Sequence, residues 1–426
     1  MSLDPTAGRA TLRSPLVPPL LTLGVILLLQ FAAQLFQVGL AVATDTPYQP
    51  PYPIARMSLA QADFRMIYAG NQAFLAGARD HDAVRQYVAN NEPWNRKYPY
   101  PPIVYRLFAG VNLLSKPSAH HLWLLAIPLC VVLSLLATAR VLVPSEGGEA
   151  RLVIVLMLLG LLGSTPLVFQ IERGNFDWVV FALYLTALAG LLRNHPLSSG
   201  VLIGLATSLK LYPGILLPCL LLCRRLKPTL AALGTMLAVV VVTGPNDNWH
   251  WLKALAEDRA RSFGLHPCNA GLANLIGTLG VSDGTALARV SYAAFLLLVV
   301  SFLAVIFLRQ RRASVDVGRI GLIAIPFMFL MPLTHWAYAL FALLALLPLL
   351  SALYREREDL RPQILAVSVL IGVTQAPFVA LRSFPAGLPI VMPVYSACVL
   401  CLSLLSIWLV AGGAADAPRA TPSVSV

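Results

Sequence analysis

The hydrophobic positions of this chain fall in long runs divided by short polar intervals. Apolar runs cover Leu16–Ala43, His121–Val143, Leu152–Phe169, Asp177–Leu192, Ser198–Cys223, Leu230–Thr243, Leu287–Leu308, Ile320–Pro332, Leu340–Tyr354, Ile364–Val379 and Leu388–Val410. Several reach the roughly 20 residues that a membrane-crossing helix needs. The pattern predicts an all-α integral membrane protein, a polytopic helical bundle of about 12 membrane segments by that length rule. Leu16–Ala43 is too long for a signal-peptide core and has no small-residue cleavage site behind a short apolar stretch. It is expected to remain as the first spanning helix. The chain then divides into a cytoplasmic tail over 1–15, a single membrane domain over 16–411, and a short, unstructured cytoplasmic tail over 412–426.

Charge orients the runs. Arg224-Arg-Leu-Lys227, Arg309–Arg312 and Arg355–Arg361 are short basic clusters of the kind that stay in the cytoplasm. If Ser198–Cys223 crossed the membrane once, all three clusters would lie outside. A break at Lys210-Leu-Tyr-Pro213 returns all three to the inside. The expectation is two half-helices that meet near the outer face, with Lys210 and Tyr212 at the turn.

On this topology the two longest polar intervals, 44–121 and 244–286, are extracytoplasmic loops. The first holds helix-compatible stretches, Ser58–Ala78 and Asp82–Asn90, expected along the membrane surface. Pro99, Pro101 and Pro102 are expected to exclude regular helix around them.

Composition supports the membrane reading. The chain is 58% hydrophobic and 12% charged, with mean hydropathy +0.75, where a soluble domain has about 25% charged residues. The net charge of +12 would suit nucleic acid, but the cations sit in clusters between apolar runs, so membrane lipids are the expected partners and nucleic acid is not. Five of the six cysteines lie in apolar runs. Cys398 and Cys401 have CxxC spacing, which inside a membrane helix reads as packing.

Unusual polar residues gather on one side of this topology: Asp63, Arg65, Tyr98, Tyr100, Glu172, Arg173, Asn175, Lys210, His266, Asn269, Asn274, His335 and Arg382. A carboxylate, several cations and aromatic rings suit glycosyl transfer. The carboxylate takes the proton of an acceptor hydroxyl. Arg or Lys stabilises the charge that grows on a leaving phosphate. Aromatic rings pack on sugars and on polyprenyl chains. No GxxxxGK[ST], and no GxGxxG between strand and helix, offers a nucleotide site. The donor is therefore expected to be lipid-linked. Asp63 has no neighbouring carboxylate, so neither a dedicated metal site nor a cofactor is expected.

Six segments carry a resemblance: Ala62-Asp-Phe-Arg-Met-Ile-Tyr-Ala69, Tyr98-Pro-Tyr-Pro-Pro102, Glu172-Arg-Gly-Asn-Phe-Asp177, Gly204-Leu-Ala-Thr-Ser-Leu-Lys-Leu-Tyr-Pro213, Asn269, and Pro332-Leu-Thr-His335. In this order and spacing the chain resembles the polyprenyl-phosphate-sugar-dependent glycosyltransferases of family 87, which include mycobacterial phosphatidylinositol mannoside mannosyltransferases. The resemblance implies a GT-C-like helical bundle in the cell membrane, with its active site facing outward. It implies transfer of a hexose, mannose being the first candidate, from a polyprenyl-phosphate sugar to a lipid or glycan acceptor. Asp63 would be the catalytic base. Arg65, Tyr68, Tyr98, Tyr100, Arg173, Asn175, Lys210, Tyr212, Asn269 and His335 would bind substrate, with Lys210 and Arg65 or Arg173 on the donor phosphate. The chain departs from the family before its Gly-Asn turn, where Glu172-Arg173 stands in place of a small or polar residue, after Asn269, where Ala270-Gly271 stands in place of a Gln-Ser-like pair, and at His335, shifted by one residue. A transporter or flippase of a lipid-linked sugar is the alternative. It would need polar residues through the whole bilayer depth, whereas mid-membrane positions here are nearly all apolar.

Overall fold

The computed structural model describes residues 14–44, 62–78, 80–91, 100–143, 148–262, 271–281, 283–330, 337–376 and 388–416. Among them the fold is helical throughout, with a single isolated bridge between Val315 and Asp416. Five helical stretches are long and apolar enough to cross a membrane: Lys116–Leu142, Leu226–Thr243, Gly284–Arg312, Ala339–Glu356 and Val394–Ala411. The pair Gly148–Leu162 and Thr165–Ile171 makes a sixth if its 58° bend is counted as one broken span. Other apolar runs form shorter helices, such as Asp177–Leu192 and Pro196–Leu209. The structure thus supports a multi-pass membrane protein with five or six full-length crossings among the described residues.

The helices that carry the argument are α1 (Val17–Thr44), α2 (Ala62–Leu75), α3 (His81–Asn91), α4 (Pro102–Leu107), α5 (Lys116–Leu142), α6 (Gly148–Leu162), α7 (Thr165–Arg173), α8 (Asp177–Leu192), α9 (Pro196–Leu209), α10 (Leu216–Leu222), α11 (Leu226–Thr243) and α12 (Pro245–Ser262). Within the first polar interval α2 and α3 form where the pattern allows helices. The proline segment behaves differently from expectation. Pro101 sits at the N-cap of α4 and Pro102 opens the helix. Proline is tolerated there because the first turn has no partner for its N–H groups in any case.

The break in the Ser198–Cys223 run is present. Helix α9 ends at Leu209, Lys210 is extended at φ −149° and ψ 136°, a 3₁₀ turn spans Tyr212–Ile215, and α10 follows.

Small residues allow a close helix approach. Helix α9 lies on α11 through Gly200 and Gly204. A Cβ on Gly204 would meet the Ala232 carbonyl oxygen at 2.4 Å, and one on Gly200 would meet that of Pro228 at 2.3 Å. Glycine lets two backbones come this near, the usual device where lipid offers no hydrophobic drive to pack helices. At its C-terminal end α8 packs over Gly318 and Gly321 through Leu192 and Leu188.

That end of the molecule also holds the start of the C-terminal tail. The Asp316 N–H donates to the Ala415 carbonyl at 2.7 Å, Arg309 pairs with Asp416, and Arg357 donates to the carbonyls of Gly412 and Gly413. The tail expected to lack structure is fastened as far as Asp416.

Candidate active site

The site forms at the opposite end of α8, about 24 Å away for a helix of 16 residues. Four chain segments end there. Helix α7 stops after Arg173 because Gly174 takes a left-handed conformation at φ 63°, donating its N–H to the carbonyls of Gln170 and Ile171. A side chain at this position would strain the backbone and would also strike the Phe64 Cβ, 2.8 Å from the ideal Cβ of residue 174. The turn is fixed from both sides. Trp123 on α5 donates its indole N–H to the Gly174 carbonyl at 2.9 Å, and Gln170 donates to the Asn175 carbonyl at 2.5 Å.

Asp63 stands in the first turn of α2 and is 3% exposed. Arg173 donates to both its oxygens, Nη2 to Oδ1 at 2.9 Å and Nε to Oδ2 at 3.2 Å. Asn175 Nδ2 donates to Oδ2 at 3.0 Å. A carboxylate oxygen has two acceptor positions, so these three bonds fill Oδ2 and take one position of Oδ1. The two-pronged guanidinium contact sets the plane of the carboxylate as well as its place.

The network continues through Asn175, which is 2% exposed. Its side-chain carbonyl accepts the Asp177 backbone N–H at 3.1 Å, an Asx-type turn that opens α8. The same oxygen accepts from Lys210 Nζ at 3.2 Å. Lys210 also pairs with Asp177 Oδ1 at 2.7 Å and lies 5.0 Å from the centre of the Phe176 ring. Tyr212 donates its hydroxyl to Asp177 Oδ1 at 2.8 Å. Tyr100 packs edge-on to Phe176 at 5.0 Å and brings its hydroxyl to 3.5 Å from Asn175 Nδ2.

Six of the residues expected from the sequence therefore meet: Asp63, Arg173, Asn175, Lys210, Tyr212 and Tyr100. Arg65 is half-buried, two positions beyond Asp63 on α2. Tyr68 directs its hydroxyl to the Leu114 carbonyl at 3.0 Å. Tyr98, Asn269 and His335 lie outside the described residues. Asp177 was not expected as a site residue, yet it is 1% exposed and joins two members of the cluster. Its signal was present in the sequence: an acid opening an apolar run in a membrane protein is costly unless something pairs with it.

The second polar interval reaches the first through α4 and α12. Asp247 accepts from Arg106 at 3.3 Å and from the Tyr105 hydroxyl at 3.4 Å. Burial and the Asp247 charge raise the Tyr105 hydroxyl well above the usual phenol range, which keeps it a neutral donor.

The family model of glycosyltransferase family 87 matches residues 98–332, just over half of the chain. The chain belongs to glycosyltransferase family 87. It is accordingly a transferase carried on membrane helices. The matched region holds Tyr100, Arg173, Asn175, Asp177, Lys210 and Tyr212, and with them the whole α7–α8–α9 corner of the site. Asp63 and His335 fall outside it. No curated protein and no solved structure matches the chain.

Proposed function

We infer that this family member transfers a hexose, mannose as the first candidate, from a polyprenyl-phosphate sugar to a lipid or glycan acceptor on the extracytoplasmic side of the cell membrane. The observation that carries the reading is a buried carboxylate, Asp63, oriented by Arg173 and Asn175 in a family whose members move sugars. In the step proposed, the acceptor hydroxyl attacks the anomeric carbon of the donor. Its proton passes to Asp63, and the bond from the anomeric carbon to the phosphate oxygen breaks. The electron pair leaves on the polyprenyl phosphate. A positioned carboxylate contributes roughly 100- to 10,000-fold to such a step. Cations beside the leaving oxygen lower the barrier further, because they are already oriented when charge develops. Arg173, bonded to Asp63, is the cation nearest the carboxylate, and Arg65 is the second candidate for that task.

The test is to incubate purified protein with a small panel of polyprenyl-phosphate sugars and candidate acceptors, reading out free polyprenyl phosphate and new glycoside in detergent. Asp63→Asn is expected to abolish transfer while the protein still inserts and purifies normally. Full activity in that variant would remove Asp63 from the chemistry. Absence of any glycoside product, together with movement of a lipid-linked sugar across vesicles, would establish the flippase in its place.

A further inference from the structure

The geometry points to Asp177 as a positioning residue of the transfer: through Lys210 it fixes the orientation of the Asn175 amide that holds Asp63. This inference rests on the reading of Asp63 as the base.

An asparagine side chain has two unlike ends, and only the NH2 end can donate to a carboxylate. The Asn175 carbonyl end meets two donors, the Lys210 ammonium at 3.2 Å and the Asp177 backbone N–H at 3.1 Å. Rotating the amide by half a turn would set its NH2 group against both and bring an oxygen up to the Asp63 carboxylate. The observed orientation is thus enforced from behind, and it presents Nδ2 to Asp63 Oδ2 at 3.0 Å. Lys210 in turn needs an anchor, since a lysine stem is flexible and its ammonium is a point charge without preferred direction. Asp177 Oδ1 supplies it at 2.7 Å, and the Tyr212 hydroxyl bonds to that same oxygen at 2.8 Å. The face of Phe176 closes a further side of the ammonium at 5.0 Å.

This arrangement revises the role expected for Lys210. A lysine that binds the donor phosphate would direct its charge toward the substrate. Here the ammonium is matched by a buried carboxylate and serves the asparagine. Asp177, Lys210 and Tyr212 therefore stand behind Asn175, and Asn175 stands behind Asp63.

The test is a double-mutant cycle on steady-state turnover of the polyprenyl-phosphate sugar accepted in the panel above. Lys210→Met and Asn175→Ala are each expected to lower kcat by about 100-fold, the scale of a misplaced reacting group, with donor KM within about two-fold. Their combination is expected to be no worse than Asn175→Ala alone, because both remove the same support. Asp177→Asn leaves Lys210 unpaired and can unfold the protein, so Asp177→Asn with Lys210→Met is measured beside it. That pair is expected to keep a near wild-type Tm in detergent and still to lose kcat. Additive losses in the cycle would overturn the proposal. So would a Lys210→Met variant with raised donor KM and unchanged kcat, which would make Lys210 a donor ligand. An active Asp63→Asn variant would instead sink the reading of the base, and the cycle, measured with Asp63 intact, tells the two failures apart.

Discussion

Arg173 grips Asp63 with two parallel hydrogen bonds across 110 positions of sequence, from the end of α7 to the first turn of a helix in the first polar interval. The pair joins the part of the chain that carries the proposed base to the part that carries the family signature. It is a fork on a carboxylate, and lysine cannot reproduce a fork. Arg173→Lys keeps the charge and loses one of the two bonds. It is expected to lower kcat/KM by about 10- to 100-fold, the scale of one hydrogen bond to a charged group. Steady-state release of polyprenyl phosphate checks this, and a Lys variant as fast as wild type would mean that charge alone suffices.

Gly174→Ala tests the turn between them. The position combines φ 63° with a Cβ site 2.8 Å from the Phe64 Cβ. Left-handed backbone alone costs roughly 1–2 kcal/mol for an L residue, and Phe64 shares α2 with Asp63, so relief of the clash moves the carboxylate. Both Tm in detergent and kcat are expected to fall. Loss of Tm with undiminished kcat in the surviving fold would show that α2 absorbs the shift elsewhere.

The α9–α11 crossing sets where Lys210 emerges. Gly204→Val brings side-chain atoms onto the Ala232 carbonyl, which is backbone and cannot rotate away. Overpacking of this kind costs typically about 1–3 kcal/mol. The thermal midpoint is expected to drop, whereas a substitution at Gly234, whose Cβ would meet nothing within 4 Å, is expected to leave it unchanged. Equal shifts at the two sites would argue against a close crossing.

His81 on α3 supplies a pH dependence. Burial, helped by Arg85, lowers its imidazole from 6.5 to about 4. Above pH 6.5 the ring is neutral in both the folded and the unfolded chain. As the pH falls from about 6.5 to about 4, the unfolded chain takes up a proton that the folded protein refuses, so stability declines across that window. His81→Gln is expected to flatten the decline. Thermal midpoints at pH 7 and pH 4.5 compare the two proteins, and parallel slopes would assign the dependence to other groups.

Much of this site was legible before any coordinates. Asp63, Arg173, Asn175, Lys210 and Tyr212 stood out because polar groups in a membrane chain are expensive and must find one another. The break at Lys210–Pro213 followed from charge bias alone, since an unbroken helix would have put three basic clusters on the wrong side. Asp177 escaped notice because it reads as the edge of an apolar run, and its partner Lys210 is 33 positions further along. The number of crossings was less legible, for a physical reason. Hydropathy reports removal from water and cannot tell lipid from protein interior. The apolar window within Ala339–Glu356 is 89% buried inside the protein, and the one within Gly284–Arg312 is 17% buried, yet both are strongly apolar sequences. The prolines misled for another reason: their effect depends on whether they fall at the first turn of a helix or inside it, and Pro102 falls at the first turn.

Asp177 and Lys210 belong to consecutive helices, α8 and α9, and both sit at the open end of that hairpin. The hairpin therefore carries its own counter-ion. It can partition into lipid during biosynthesis as an electrically balanced unit, without a charge borrowed from the distant segment bearing Asp63. The support proposed to stand behind Asn175 thus comes from two neighbouring stretches of chain and is neutral in itself, whatever the distant segment bearing Asp63 contributes.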